Sequence, residues 1–480
     1  MTDKPDATEA ALAALVASEE DARARLFEFL SIPSVSAQPA HAGDCRQAAD
    51  WLAGEFAALG FETRLEETPG HPVVIGHHPG PAGAGEGSVP HILFYGHYDV
   101  QPPEPLELWT SPPFTPTMVE GPEGKRVVAR GAVDDKGQVM TFLWACRAWH
   151  QATGSLPVRV TLLIEGEEEV GSPNLDAFLE THRATLAADV ALISDTGMWD
   201  RTTPALTTRL RGMVYVQINL FGPDKDLHSG MFGGMALNPI NALTRMLGAL
   251  HDDRGRVMIP GFYDDVEPLP PEIAAQWRGL GFDETAALAA IGLDAGAGEA
   301  GYSALERLWA RPTADLNGIW GGYTGAGSKT VIAAEAHAKL SCRLVPNQDP
   351  AKILAGLRQF VDAHTPPGAR VTIDDLNGSP GVLVPTEGAF IGAAVAALSE
   401  EYGKPPVMMG CGGSIPVVGS FRRLLGLDTI LMGFGLDDDQ VHSPNEKFDW
   451  ACFLGGARSH ARLLGKLGSK TPVAGRAGAG

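Results

Sequence analysis

The sequence lacks any run of basic residues. Its 37 lysine and arginine residues are outnumbered by 58 aspartate and glutamate residues, and the net charge is −21. Proteins that bind nucleic acid neutralise phosphates with clustered lysine and arginine side chains, and no segment here offers such a cluster. Nucleic acid is therefore not expected as a partner. General solubility explains most of the acidity, and the rest is available for a cation site.

Long apolar runs and paired cysteines are also missing. No stretch reaches the roughly 18 apolar residues that span a bilayer, and residues 1–30 show no basic segment followed by an apolar one, as a secretory signal would. Five dispersed cysteines form neither a Cys-x-x-Cys pair nor a disulfide framework. We expect a cytoplasmic protein without a membrane anchor.

Strand, helix and strand patterns alternate in the first part of the chain. Short apolar runs at 91–95, 158–164 and 190–193 are rich in β-forming residues, and a helical pattern near 138–149 separates the first two. Strands that alternate with helices indicate an α/β fold with a largely parallel sheet. A length of 480 residues exceeds one ordinary core, so two domains are expected.

The pattern changes at Arg211, where alternating strands and helices indicate an inserted α+β module. We expect a catalytic domain formed by 1–210 and 378–470, an inserted lid or dimerisation domain over 211–377, and a disordered tail over 471–480. The other expected elements are helices over 7–30, 44–59, 239–250 and 351–363, strands over 213–220, 331–344 and 429–434, and a glycine- and proline-rich loop over 77–90.

Two polar clusters follow early in the chain. His97 and Asp99 lie at the end of a strand, where a spacing of two directs both side chains to the same side, so that the carboxylate can orient a metal-binding imidazole. Alone, a His-x-Asp pair is usually a coincidence. Asp134 and Asp135 lie in a glycine-flanked turn before a helix; one carboxylate can bridge two cations, although this segment alone favours a helix cap.

An acidic run, a further aspartate and a further histidine also follow apolar strands: Glu167–Glu169, Asp195 and His442. Glu167, Glu168 and Glu169 come in succession after 158–164, and such like charges repel one another unless a cation or solvent absorbs them. Each position has a bland explanation by itself. Together, five side chains at strand ends or in the turns beyond them predict a two-cation hydrolase site: His97, Asp134, Glu169, Asp195 and His442.

The segments around these residues resemble the dinuclear zinc metallopeptidases, which include carnosinases, cytosolic nonspecific dipeptidases, aminoacylases, desuccinylases and glutamate carboxypeptidases. The similarity spans nearly the whole chain and is greatest to the dipeptidase and carnosinase branch. It rests on Tyr95-Gly-His-Tyr-Asp-Val-Gln-Pro102, Arg130-Gly-Ala-Val-Asp-Asp-Lys-Gly137, Glu165-Gly-Glu-Glu-Glu169, Asp226-Leu-His-Ser-Gly230 and Gly412-Gly-Ser-Ile-Pro416.

The resemblance implies a role for each ligand and for two supporting acids. His97 and Asp195 would hold one metal, Glu169 and His442 the other, and Asp134 would bridge them. Asp99 would orient His97. Glu168 would act as general base, taking a proton from a water between the metals and passing it to the leaving amine. Imidazole and carboxylate ligands suit zinc, and also manganese or cobalt.

The resemblance further implies four substrate contacts in or near the inserted module. His228 would stabilise the developing oxyanion in the active site of a partner subunit, which implies a homodimer; its alternative is a plain turn residue beside Gly230. Arg343 would bind the substrate's carboxylate through its planar guanidinium. Thr330 and Ser414 would be further contacts, and a plain turn role is equally compatible with each.

The expected activity is cleavage of the amide bond of dipeptides or similar small peptides. One alternative keeps the site but changes the substrate to an N-acyl amino acid, which is decided by lid residues. Another is an inactive metal-binding interaction protein, whose sequence would lack the general base; Glu168 and Asp99 are present. The Gly/Ala-rich stretch 280–301 departs from the family pattern and either alters pocket depth or lengthens a surface loop.

Overall fold

The computed structural model describes residues 6–83, 87–413 and 415–469. Two compact units divide the chain. The first comprises Met1–Thr207, Val384–Met409 and Ser420–Gly480, and the second comprises Thr208–Leu383 and Gly410–Gly419. The second unit begins and ends close to the expected insertion, and it also takes in the Gly410–Gly419 segment, which the sequence assigned to the first. The predicted tail, 471–480, lies outside the described residues.

The helices and strands are numbered in chain order. The helices are α1 Ala7–Ala17, α2 Glu19–Leu30, α3 Ala42–Ala57, α4 Lys136–Thr153, α5 Leu175–Thr181, α6 Ser229–Phe232, α7 Pro239–Gly248, α8 Pro271–Gly279, α9 Glu284–Ala290, α10 Ala304–Trp309, α11 Pro350–His364, α12 Ala389–Tyr402, α13 Pro416–Ser420 and α14 Trp450–Gly468. The strands are β1 Glu62–Glu66, β2 Val73–His78, β3 His91–His97, β4 Thr117–Gly121, β5 Gly124–Val128, β6 Arg159–Glu165, β7 Val190–Ile193, β8 Ala205–Leu210, β9 Gly212–Phe221, β10 Leu227–His228, β11 Thr313–Gly321, β12 Val331–Ile332, β13 Glu335–Leu344, β14 Arg370–Ser379, β15 Val382–Leu383, β16 Val407–Cys411, β17 Thr429–Leu431 and β18 Lys447–Asp449.

A six-stranded sheet forms the centre of the first unit, in the order β1-β2-β6-β3-β7-β17. The pairs β6–β3, β3–β7 and β7–β17 are parallel, and β1 and β2 extend the sheet in antiparallel fashion. Every residue of β3 and β7 is buried, because helices cover both faces of such a sheet and require continuous apolar strands. The α/β fold with a mostly parallel sheet is confirmed.

Helix α4 lies against this sheet and packs on α1 and α14. It starts directly after the Asp134–Asp135 turn, and 13 of its 18 residues are buried. A helix that is apolar around its circumference must lie inside the protein. The buried helix therefore fixes the position of the turn that precedes it.

Some elements differ from the sequence-based expectation. The helix over 7–30 is interrupted at Ser18, whose side chain accepts a hydrogen bond from the Trp144 indole at 2.9 Å. The loop over 77–90 begins inside β2, since His77 and His78 end that strand, and residues 84–86 lie outside the described part. The strand over 331–344 is two strands, β12 and β13.

The second unit contains a four-stranded antiparallel sheet in the order β11-β13-β9-β14. Buried and less buried residues alternate along β13, as expected for a sheet with one covered face. Helices α7 and α11 pack on that sheet. The expected α+β character of the insertion agrees with this arrangement.

The 280–301 stretch lies on the surface of the second unit. Its helix α9 has no buried residue. The stretch is anchored near its end, where the Glu299 carboxylate accepts hydrogen bonds from the Arg311 guanidinium at 2.8 and 3.0 Å. Among all the helices of the described residues, none is long and apolar enough to cross a membrane.

Candidate metal centre

The predicted ligands meet at one edge of the six-stranded sheet. His97 is the last residue of β3, and Asp195 follows the end of β7. Strand β6 ends just before Glu167–Glu169, which we call the acidic turn. These strands are neighbours and parallel, so their carboxyl ends coincide. Ligand sites in open α/β sheets lie at this edge.

One group of potential ligands consists of His97, Asp134 and Asp195. The Nε2 atom of His97 lies 3.2 Å from Asp134 Oδ1 and 3.9 Å from Asp195 Oδ2. The His97 side chain is fully buried. The strand end and the turn before α4 thus direct their side chains to one point.

A second group consists of Asp134, Glu169 and His442. The Nε2 atom of His442 lies 3.0 Å from Asp134 Oδ2 and 3.2 Å from Glu169 Oε2. Asp134 therefore contributes one carboxylate oxygen to each group. All ligand atoms within a group lie within 4.8 Å of one another.

The donor set fits divalent metal ions. Each group offers one imidazole nitrogen and two carboxylates, a mixture that binds zinc or manganese. The buried His97 Nε2 atom has no hydrogen-bond partner among the described residues. Burial and then the neighbouring Asp134 charge raise the pKa of Asp195 to about 8, because crowded carboxylates resist ionisation unless a cation balances them.

The Asp134 and His442 side chains influence each other's protonation. Burial opposes ionisation of Asp134, but the neighbouring imidazoles of His442 and His97 lower its pKa below the usual range. Hydrogen bonds to Asp134 and Glu169 raise the pKa of His442 to about 10. A histidine must be neutral to bind a metal, so a cation held here would take the place of the proton that His442 shares with these carboxylates.

Asp99 contacts His97 through two oxygen atoms. His97 Nδ1 lies 3.1 Å from the Asp99 carbonyl oxygen and 3.4 Å from its carboxylate. The Asp99 carboxylate also accepts hydrogen bonds from the backbone N–H groups of Glu168 at 3.3 Å and Glu169 at 3.1 Å. Asp99 thus connects the β3 strand end to the acidic turn, in addition to the contact expected from the sequence.

The three successive glutamates have different environments. Glu167 is buried and accepts hydrogen bonds from Asn174 at 3.0 Å and from Thr68 at 3.2 Å. Glu169 lies in the second ligand group. Burial raises the pKa of Glu168 to about 7, within the range of a general base that operates near neutrality.

Sequence reasoning missed two residues that support the ligands. The Gln101 amide donates a hydrogen bond to the Glu169 carboxylate at 2.8 Å. Glu446 is fully buried and accepts a hydrogen bond from the Asp134 backbone N–H at 3.1 Å. Gln101 falls inside a segment that carried the resemblance, which was the only available signal; Glu446 follows His442 by four positions and belongs to no recognisable pattern.

A cavity of about 230 Å³ adjoins the first ligand group. Asp134 and Asp195 form part of its lining, together with Gly197, Gly435 and Val441. Its size suits part of a small substrate and not a folded protein. Because two ligand carboxylates face it, a molecule in this cavity lies next to the metal centre.

The remaining predicted residues belong to the second unit. His228 is exposed, and its Nδ1 atom accepts a hydrogen bond from the Gly230 backbone at 3.0 Å, which matches the turn alternative. Arg343 is half-buried in β13, opposite Met213 of β9. Thr330 is exposed. Ser414 lies outside the described residues.

The chain matches a protein-family model over most of its length. The model for peptidase family M20/M25/M40 matches residues 93–466. This range contains every residue of both ligand groups.

Two curated relatives align with most of the chain. The Cys-Gly metallodipeptidase dug1 of Schizosaccharomyces pombe is 31% identical over 464 residues, which cover 93% of this chain and 96% of that protein. The human Beta-Ala-His dipeptidase is 30% identical over 379 residues, covering 78% of this chain and 74% of that protein. Both relatives are named as dipeptidases.

Solved structures show the same similarity. The Saccharomyces cerevisiae di-peptidase Dug1p superposes with a TM-score of 0.78 at 28% identity, covering 96% of this chain and 99% of that one. The backbone architecture is therefore shared over nearly the full length.

Proposed function

The chain belongs to the peptidase family M20/M25/M40, and from this premise we propose that its candidate metal centre holds two divalent ions. It is a metal-dependent dipeptidase, the activity class named for its relatives. The observation that carries the proposal is the sharing of Asp134 between two ligand groups. Zinc is our proposed resident ion, with manganese or cobalt as substitutes that suit the same ligands.

Each side chain has a distinct task in the proposed reaction. His97 and Asp195 would hold one ion, Glu169 and His442 would hold the other, and Asp134 would serve both. When bound, such a pair of ions polarises the scissile carbonyl and lowers the pKa of a water molecule. Glu168 takes the proton from the attacking water and delivers it to the leaving amine.

Substrate recognition is assigned to the second unit. Arg343 is half-buried in β13, and its planar guanidinium suits the carboxylate of a dipeptide. Thr330 and Ser414 are proposed as further contacts. The substrate class is accordingly a short peptide with a free carboxyl end.

A homodimer is part of the proposal. The family resemblance assigns His228 to the active site of a partner subunit, where it would donate to the developing oxyanion. Its exposed position on the second unit leaves the imidazole accessible to another chain.

We also propose a cytoplasmic location. None of the five cysteines, all of which lie in the described residues, forms a disulfide, and four of them are buried. Thiols persist in reducing compartments, whereas exported proteins usually carry disulfides.

A substrate panel tests the proposed function. Purified protein supplied with zinc or manganese is assayed against dipeptides, the matching dipeptide amides and N-acetyl amino acids. We expect cleavage of the dipeptides and weak cleavage of the amides, because Arg343 loses its carboxylate partner. A preference for N-acetyl amino acids would replace this proposal with a deacylase, and turnover of no substrate would favour the inactive binding protein.

A further inference from the structure

The Glu446 carboxylate is buried in the first unit and accepts four hydrogen bonds. Three donors are backbone N–H groups of the turn before α4, and the fourth is an arginine. The distances are 2.9 Å from Gly131 N and 2.8 Å from Arg130 Nη1, both to Oε2, and 3.0 Å from Val133 N and 3.1 Å from Asp134 N, both to Oε1. A single side chain thus fixes most of the turn that ends in Asp134.

The same residue is joined to the segment that carries His442. Glu446 follows His442 by four positions, and its backbone carbonyl accepts a hydrogen bond from Ala129 N at 3.1 Å. Directly after it, β18 pairs with β5, with Lys447 opposite Val128. The backbone and side chain of Glu446 therefore connect the chain around His442 to the turn around Asp134.

Arg130 extends this connection to a third segment. Its guanidinium donates to the Pro102 carbonyl at 3.2 Å and lies 5.5 Å from the centre of the Trp109 ring. Pro102 follows Gln101, whose amide donates to Glu169. Three segments that carry or contact ligands thus converge on one buried ion pair.

We propose that Glu446 is a positioning residue of the metal centre. It holds the Asp134 carboxylate in the position where one carboxylate can serve both ligand groups. This inference rests on the proposed function only in that two metal ions occupy those groups. Glu446 does not contact substrate or metal; it acts through Asp134. Residues that orient ligands in this way typically contribute about 10- to 100-fold in metal affinity.

The substitution Glu446→Gln isolates this role. Glutamine has about the same volume as glutamate and keeps one acceptor oxygen. Its NH₂ group, however, would face the N–H donors that the second carboxylate oxygen now accepts from in this buried position. The turn must move to relieve that conflict, and Asp134 moves with it. We expect metal affinity to fall about 10- to 100-fold.

The measurement is metal affinity of the full-length protein, stripped with chelator and titrated with zinc against a chromophoric chelator. Circular dichroism establishes that each variant is folded. The matched control is Glu55→Gln, which also removes a carboxylate bound by arginines, since Glu55 accepts hydrogen bonds from Arg25 and Arg147 at 2.6 Å each. Glu55 lies away from the ligands, so the zinc affinity of the Glu55→Gln protein should equal that of the wild type.

Folded Glu446→Gln with unchanged zinc affinity would overturn the proposal, as would an equal loss in Glu55→Gln. If Glu446→Gln does not fold, Arg130→Lys decides the question: it keeps the charge but cannot contact both Glu446 and Pro102, and zinc affinity must again fall. The test does not depend on substrate. A wild-type protein that binds two ions without cleaving dipeptides would contradict the proposed function and leave this inference standing.

Discussion

The glutamates at 167, 168 and 169 are adjacent in sequence, and their neighbours give them different properties. Glu167 accepts hydrogen bonds from Asn174 and Thr68, and Glu169 lies beside His442. Burial raises the pKa of Glu168 to about 7. The identity of a residue therefore does not decide its role; the groups around it do.

Replacement of the proposed base gives the first prediction. Glu168→Gln should reduce kcat about 100- to 10,000-fold, because general acid–base catalysis contributes about that much, while KM and metal content stay unchanged. Steady-state kinetics and elemental analysis measure these quantities. Glu167→Gln is the control: its amide oxygen can still accept from Asn174, and the Thr68 hydroxyl, unlike a backbone N–H, can turn to accept from its amide group, so the variant should retain nearly full kcat. Equal losses in both variants would refute the assignment.

A second residue-scale prediction concerns His460, which is fully buried and bonded to Ser194 at 2.9 Å. Burial lowers its pKa to about 3, whereas an unfolded histidine titrates near 6.5. Because the unfolded chain binds the proton more readily, the neutral ring stabilises the fold above pH 6.5, and this contribution is lost as the pH falls from 6.5 towards 3. The loss between about pH 7 and pH 5 should be about 2 kcal/mol.

Urea unfolding of the metal-free protein at both pH values measures this effect. His460→Gln retains a partner for Ser194 and does not titrate, so its free energy of unfolding should fall less between the two pH values. The same pH dependence in variant and wild type would show that His460 does not carry the effect.

At the scale of elements, hydrophobic patterning predicted the central strands well. The buried runs that became β3, β6 and β7 are continuous because helices cover both sheet faces. Strand β2 was missed because it ends in His77 and His78, and polar residues there resemble a loop. Most residues of the hairpin strands β4 and β5 are partly buried or exposed, so these strands show no run of apolar residues that would predict them.

The site was predictable to the extent that its ligands follow strands. His97, Asp195 and the acidic turn come directly after apolar runs, so topology brings them together. Glu446 was not predictable, because it acts through the backbone N–H groups of Gly131, Val133 and Asp134, which are remote from it in sequence. Hydrogen bonds to backbone leave no residue pattern to recognise.

The contact between α2 and α4 gives an element-scale prediction. The buried Lys136 ammonium, at the start of α4, donates to the Phe29 carbonyl at 3.0 Å and the Ile32 carbonyl at 2.6 Å, near the end of α2. Lys136→Met leaves both carbonyls without this donor and should lower the free energy of unfolding by about 3 kcal/mol. Urea denaturation measures the change. The exposed Lys352, paired with Asp265, gives the control: Lys352→Met should show no measurable loss.

At the scale of the whole molecule, the predicted homodimer can be tested by complementation. Glu168→Gln and His228→Ala should each be nearly inactive. If His228 serves the partner's site, a hybrid dimer contains one site with both defects and one intact site. Random mixing of subunits should then restore about a quarter of wild-type activity. Sedimentation establishes the dimer, and a mixture that stays inactive while hybrids form would place His228 in its own subunit's site.

The central claim is that dipeptide hydrolysis by this protein depends on two metal ions held around Asp134. The most direct test is to strip the protein with chelator, add back zinc in measured steps, and follow hydrolysis of a Cys-Gly dipeptide together with bound metal. Activity should be absent at the start and reach its plateau at about two ions per chain. Full activity in the stripped protein, or a plateau at one ion with no second ion bound, would contradict the account.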